Sequence, residues 1–91
     1  ALILSDGPEP EVVSDGDVPV LFIEDNLANV RLMERIVARR PQVRLITAMQ
    51  GRLGLQMARE HRPRLILLDL NLPDLSGLEV LAKIQQDPEL R

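Results

Sequence analysis

The sequence contains no cysteine and a single histidine, His61. The first absence excludes disulfide bonds, thiolate catalysis and cysteine-ligated zinc. The second excludes a histidine-rich metal site. Any metal bound by this chain must therefore be held mainly by oxygen atoms.

Aromatic residues and long apolar runs are also scarce. Phe22 is the only aromatic residue and the eleven basic residues are scattered, so the chain offers neither a stacking platform nor a basic stripe for direct nucleic-acid binding. No apolar run approaches the roughly 18 residues of a membrane span, and the Ala1–Leu4 start lacks the basic flank of a signal peptide. The 91 residues, of which 45% are hydrophobic, predict one small domain or part of one, which we expect to be cytoplasmic.

The first nineteen residues differ in composition from the remainder. They contain five acidic residues and no basic residue, together with several prolines and glycines. They contribute −5 to the net charge of −3, which leaves +2 for the remainder. This composition is typical of a solvated linker, so we predict a linker over residues 1–19 and a domain over residues 20–91. The apolar Ala1–Leu4 run is also consistent with the end of a strand from a preceding domain.

Apolar runs alternate with amphipathic segments from Val20 onward. Short continuous apolar runs predict buried strands, and apolar residues at helical spacing predict helices. The predicted strands are Val20–Ile23, Val43–Ala48 and Leu65–Leu68, and the predicted helices are Asn29–Arg39, Arg52–Glu60 and Leu78–Gln86. In the first helix, Val30, Met33 and Val37 form the apolar stripe, with Leu32 and Ile36 beside it. This alternation predicts an α/β domain with parallel strands joined by right-handed crossovers.

Acidic residues follow two of the predicted strands. Glu24 and Asp25 close the first strand, and Asp69 closes the third. Parallel strands end at the same edge of a sheet, so these three carboxylates converge if the two strands are neighbours. Their mutual repulsion calls for a positive partner, and Mg²⁺ suits carboxylate ligands. The alternative is that these acids only cap helices, with Asp25 or Asn26 as the N-cap of the first helix.

Two segments carry a family resemblance. Val20–Asn26, with its acidic pair, and Leu65–Gly77, with its Asp-x-x-Leu-Pro-x-x-x-Gly pattern, resemble the receiver domain of bacterial two-component response regulators. The resemblance implies a flavodoxin-like parallel sheet with the family strand order 2-1-3-4-5. This chain would contain only the first three strand–helix units of that fold.

The resemblance also implies roles for individual residues. Asp69 would be the phosphoacceptor, and Pro73 and Gly77 would fix the loop that follows it. Because Gly77 can adopt backbone angles closed to other residues, we expect it to lead the loop into the third helix. The implied Mg²⁺ ligands are Asp25 and Asp69 directly, Glu24 directly or through a water, and the backbone carbonyl of Asn71.

The implied partner is a histidine kinase or a histidine phosphotransfer domain, and the module would be a switch and not a turnover enzyme. It could belong to a hybrid histidine kinase. The alternative is a receiver-like interaction module that takes no phosphate, because the family's strand-four hydroxyl residue and strand-five lysine have no counterpart here. A haloacid-dehalogenase-type phosphatase is disfavoured because Asn71 stands where that class needs a second aspartate.

Strand Leu65–Leu68 is predicted to lie at an edge of this partial sheet. An apolar edge with unpaired backbone groups is a template for pairing with another chain. We therefore expect this edge to be open and to favour a dimer or a domain swap, unless the chain is a portion of a longer polypeptide.

Overall fold

The computed structural model describes residues 2–5 and 18–90, which form one sheet with three helices. The strands are β1 (Leu2–Ser5), β2 (Val18–Ile23), β3 (Val43–Ala48) and β4 (Leu65–Leu68). The helices are α1 (Leu27–Val37), α2 (Gly51–His61) and α3 (Gly77–Gln86). All six predicted elements are present, and their bounds differ from the predicted ones by no more than two residues.

The sheet order is β1-β4-β2-β3, and β2 is the central parallel strand. It pairs in parallel with β3 on one side and with β4 on the other. The predicted α/β architecture and the neighbouring positions of the first and third predicted strands are therefore confirmed. In the register of β2 with β4, Ile23 lies opposite Leu68, so both strands end at the same level.

Strand β2 is apolar throughout its second half because both of its faces are covered. Leu21 and Ile23 are completely buried and belong to the main core cluster, which α2 and α3 share. Side chains alternate between the faces of a strand, so Val20 and Phe22 point to the opposite face. Both are also buried. This two-sided burial holds the end of β2, where the acidic residues begin, in a fixed position.

Helix α1 begins at a side-chain cap. The Asn26 side chain accepts hydrogen bonds from the backbone N–H groups of Ala28 at 2.9 Å and Asn29 at 3.4 Å. Of the two candidate caps, the structure thus selects Asn26, which satisfies free N–H groups of the first turn. The carboxylate of Asp25 is therefore not used for capping.

The apolar stripe of α1 is narrower than the sequence pattern indicates. Val30 is buried, and Met33 and Val37 are partly buried. Leu32 and Ile36, which we placed beside the stripe, are 55% and 51% exposed. With Leu27, which is 49% exposed, helix α1 therefore presents three large apolar side chains to solvent. No helix in residues 18–90 exceeds eleven residues, and none is long and apolar enough to cross a membrane.

The prediction of an open edge at β4 is wrong for the described residues. Leu2–Ser5 forms β1 and pairs antiparallel with all four residues of β4. The backbone groups expected to be unpaired thus have a partner within the chain, and the structure gives no support to a dimer or domain swap through this edge. Residues 2–5 and 18–19, which the linker prediction includes, are strand residues, and the remainder of the predicted linker lies outside the described residues.

Substitution in β2 tests the core. Leu21→Ala should lower the free energy of unfolding by about 2–5 kcal/mol, the usual cost of a buried leucine-to-alanine change. Leu32→Ala is the matched control, because the same atoms are removed at a side chain that is 55% exposed. Urea denaturation followed by circular dichroism measures both. Equal effects of the two substitutions would contradict the core described above.

Candidate functional site

Three carboxylates converge where β2 and β4 end. Glu24, Asp25 and Asp69 each offer a carboxylate oxygen, and these oxygens lie within 4.8 Å of one another. The backbone fixes this arrangement, because the Asp69 N–H donates to the Ile23 carbonyl at 2.9 Å and the Glu24 N–H donates to the Ala48 carbonyl at 2.9 Å. The structure thus brings together the three acids that the sequence places after two strands.

The three acids differ in their access to solvent. Glu24 is buried, with 7% of its surface exposed, and its Oε1 accepts a hydrogen bond from the Asn29 Nδ2 at 2.8 Å. Asp69 is partly buried and Asp25 is exposed. Asn29, which the sequence analysis did not single out, therefore holds the innermost carboxyl group in place from the first turn of α1.

The two inner carboxyl groups have pKa values shifted in opposite directions. Burial raises the pKa of Glu24, and its hydrogen bond and repulsion with Asp69 raise it further. The hydrogen bond from Glu24 lowers the pKa of Asp69, and the backbone N–H of Asn71, 3.1 Å from Asp69 Oδ1, adds to this effect. Of the pair, Asp69 is thus the stronger acid, and Glu24 is the weaker one.

This donor set fits a hard divalent cation. Mg²⁺ takes oxygen ligands and is commonly held by one or two carboxylates with several waters. Asp25 lines an open depression of about 300 Å³ together with the loop that begins at Leu70 and includes Asn71. The three carboxylates would supply oxygen ligands to a bound cation, and the depression would leave that cation accessible to solvent. The metal-binding role of the Asn71 carbonyl stays a prediction.

The loop from Asp69 to α3 is closed tightly on itself. The Gly77 N–H donates to the Leu70 carbonyl at 2.9 Å, and Asn71 and Ser76 form an isolated β-bridge. A Cβ atom at Gly77 would lie 2.5 Å from the Asp69 carbonyl oxygen and from the Leu70 Cα. Gly77 has no positive φ, so the structure requires glycine for close backbone approach and not for the special backbone angles we expected.

The exposed Pro73 lies in the middle of this loop. Ser76 accepts a hydrogen bond from the Glu79 N–H at 3.2 Å and so caps α3. The Ser-x-x-Glu spacing is a sequence signal of such a start, and it could have located this cap. The role of Pro73 in fixing the loop stays a prediction.

Asp74 has a structural role that the sequence did not reveal. Its Oδ1 accepts from the Gly51 N–H at 2.7 Å and its Oδ2 accepts from the Arg52 N–H at 2.9 Å. These N–H groups open α2, whose N-cap residue Gln50 makes no side-chain cap of its own. The loop after Asp69 therefore caps a helix more than twenty residues earlier in the chain, and no local pattern signals such a contact.

Asp74 should make the stability of the domain depend on pH. The backbone N–H of Arg52, followed by that of Gly51, lowers the pKa of Asp74. Because the pKa of Asp74 is lower in the folded state, the ionised side chain adds to the free energy of unfolding above the unfolded-state pKa of about 3.9. This contribution is lost as the pH falls through the folded-state pKa. Asp74→Ala should therefore lower the Tm at pH 7, and the difference from the parent should shrink below about pH 4.

Asp74→Asn should lie between the parent and Asp74→Ala, since an amide oxygen still accepts a hydrogen bond but lacks the charge. Thermal melts between pH 3 and pH 7 measure these differences, with Glu34→Ala as a control at an exposed acid of α1. A difference between parent and Asp74→Ala that is the same at every pH would contradict the proposed cap.

The fold and the site together define a class of protein. It is an open α/β domain whose acidic, cation-compatible site lies at the carboxyl ends of two adjacent parallel strands, where such folds place their sites. The family model of the response regulator receiver domain matches residues 20–91. The chain therefore belongs to the response regulator receiver domain family of two-component signalling.

Individual relatives agree with this assignment. The polar-differentiation response regulator DivK of Brucella anthropi is 42% identical over 72 residues, which cover 79% of this chain and 58% of DivK. The phosphorylated cyanobacterial phytochrome response regulator RcpA is 35% identical, with a TM-score of 0.66, over 79% of this chain and 57% of its own. The Mn²⁺-bound form of response regulator Rcp1 is 35% identical, with a TM-score of 0.71, over 81% and 59%. This chain thus spans somewhat more than half the length of these relatives.

Proposed function

We propose that Asp69 accepts a phosphoryl group from a phosphohistidine of a histidine kinase or a histidine phosphotransfer domain, and that Mg²⁺ supports this transfer. The module would then act as a cytoplasmic phosphorelay switch and not as a turnover enzyme. The observation that carries the proposal is the position of Asp69 beside Glu24 and Asp25, with their carboxylate oxygens within 4.8 Å.

Asp69 has the chemical state that a phosphoacceptor needs. Its lowered pKa keeps the carboxylate ionised near neutral pH, so an oxygen lone pair is available for attack. In the transfer, a bond forms between a carboxylate oxygen and phosphorus, the phosphorus–nitrogen bond of phosphohistidine breaks, and its electron pair returns to the imidazole. The product is an acyl phosphate. Such a step needs mainly alignment and charge neutralisation.

The chain's own residues would hold the cation. Asp25 and Asp69 would ligate Mg²⁺ directly, Glu24 would do so directly or through a water, and the Asn71 carbonyl would complete the protein ligands. When bound, the ion supplies positive charge that offsets both the carboxylates and the incoming phosphoryl oxygens. Asn29 orients Glu24 through its 2.8 Å hydrogen bond, and the closed loop from Asp69 to Gly77 limits the positions open to Asn71.

The relatives support the signalling class, the phosphorylation and the bound cation in this proposal. RcpA is known in a phosphorylated form, Rcp1 in a Mn²⁺-bound form, and DivK is a response regulator. We propose that residues 20–91 form the receiver unit and that residues 1–19 lead into it. A receiver-like module that takes no phosphate is the alternative, and a phosphorylation assay separates the two.

Incubation with acetyl phosphate and Mg²⁺ should convert the protein to a form retarded on a phosphate-affinity gel. Asp69→Asn should abolish the retarded band, because the nucleophilic carboxylate is lost. Glu34→Gln, at an exposed acid of α1, should leave it unchanged. Hydroxylamine should remove the modification, as expected for an acyl phosphate. A parent protein that gives no retarded band would favour the alternative module.

Magnesium should stabilise the folded chain. A ligand at about 100 times its dissociation constant adds about 2.7 kcal/mol to the free energy of unfolding. Asp25→Asn should reduce this gain, since it removes an exposed ligand without disturbing the buried Glu24. Denaturation with MgCl₂, compared with NaCl of equal ionic strength, measures the effect. An equal response to the two salts would argue against a site formed by these acids.

A further inference from the structure

We propose that Asn29 is a positioning residue that sets the cation preference of the acidic site. By holding one oxygen of Glu24, it restricts this acid to coordination through a single oxygen, which favours Mg²⁺ over Ca²⁺. The inference rests on the proposed function, because it takes the three converging carboxylates as the cation ligands.

The start of α1 sets the position of Asn29. The Asn26 side chain accepts from the Asn29 N–H at 3.4 Å, and the Asn26 carbonyl accepts from the Val30 N–H at 3.0 Å. Val30 is buried, so this first turn cannot rotate about the helix axis without exposing an apolar side chain. Asn29 is thus held with its side-chain Nδ2 2.8 Å from Oε1 of Glu24, five residues earlier in the chain.

Glu24 and Asp69 each have one carboxylate oxygen engaged by an N–H donor. Glu24 Oε1 accepts from the Asn29 side chain, and Asp69 Oδ1 accepts from the backbone N–H of Asn71 at 3.1 Å. A donor in a fixed place orients the carboxyl group that it bonds, so neither acid can readily turn both oxygens toward one ion. Of these two donors, the amide of Asn29 belongs to a side chain and can be removed by substitution.

This restriction distinguishes two common cations by their coordination demands. Mg²⁺ prefers octahedral geometry at about 2.0–2.1 Å and keeps several waters, so single oxygens from a few carboxylates satisfy it. Ca²⁺ takes about 6–8 oxygens at about 2.3–2.6 Å and often binds a carboxylate through both oxygens. A Glu24 carboxyl group that offers one oxygen therefore suits Mg²⁺ better than Ca²⁺.

The burial of Glu24 makes the loss of Asn29 consequential. Because Glu24 is only 7% exposed, water does not readily replace a lost hydrogen-bond donor at its carboxyl group. The released oxygen then gains most by turning toward a bound cation. Coordination through both oxygens of Glu24 would favour the larger ion with more ligands, so removal of Asn29 should shift the preference toward Ca²⁺.

Calorimetric titration of the full chain with MgCl₂ and with CaCl₂ tests this inference. Asn29→Leu removes the amide donor but keeps a side chain of similar size, and Asn29→Ala removes it with a residue that favours helix. Gln56→Leu is the matched control, because Gln56 Nε2 donates to Oε1 of Glu60 at 3.0 Å in an exposed pair on α2. Thermal melts establish that each variant is folded.

Both Asn29 variants should bind Mg²⁺ about tenfold more weakly, a usual effect of losing a hydrogen bond to a metal ligand. Their Ca²⁺ affinity should be unchanged or higher, so the Kd for Ca²⁺ divided by the Kd for Mg²⁺ should fall by about tenfold. Gln56→Leu should leave this ratio unchanged. In a Glu24→Gln background, which lacks the second carboxylate oxygen, Asn29→Leu should no longer change the ratio.

A ratio that is the same in the parent and in both Asn29 variants would overturn the role of Asn29, even if both cations bind more weakly. A ratio that falls equally in the Glu24→Gln background would also overturn it, because the effect would not pass through Glu24. In both cases the proposed cation site would stand. A parent that binds neither cation would instead overturn that site and, with it, this inference.

Discussion

The parallel pairing of β2 with β4 is the constraint on which the rest of the site depends. Its register places Ile23 opposite Leu68, so the residues that follow, Glu24 and Asp69, must meet at one edge. Like charges at this distance repel, and part-burial increases the cost. The repulsion does not separate the acids, because buried side chains on both faces of β2 hold the end of this strand in place.

The loop after Asp69 is attached to the fold at two further points. Asp74 accepts hydrogen bonds from the opening N–H groups of α2, and Gly77 donates to the Leu70 carbonyl at the start of α3. Gly77 also lies so close to the Asp69 backbone that a side chain there would displace it. The loop therefore links β4, α2 and α3. A shift of the Asp69 backbone would be transmitted to the start of both helices.

The sequence predicts those strands, helices and site residues that have a local periodic signal or belong to a short motif. The strands Val43–Ala48 and Leu65–Leu68 were predicted with their observed bounds, and the convergence of the acids followed from the parallel topology. The contacts that escaped prediction are long-range. Asp74 caps a helix that begins 23 residues earlier, and a four-residue apolar run at the start of the chain is equally consistent with a linker or a strand. Their partners are set by the assembled sheet and not by neighbouring residues.

The three acids become progressively more exposed from the interior of the fold toward solvent. Glu24 is buried and held by Asn29, Asp69 is partly buried, and Asp25 is exposed beside the open depression bordered by residues 70–76. Under the proposed function, the side of Asp25 and this loop therefore offers a phosphoryl donor an open approach to the site. The opposite pKa shifts of Glu24 and Asp69 follow the same gradient, because burial of the innermost carboxyl group raises its pKa, whereas its hydrogen bond to Asp69 lowers the pKa of Asp69. Ionisation is therefore easier at Asp69 than at the innermost carboxyl group.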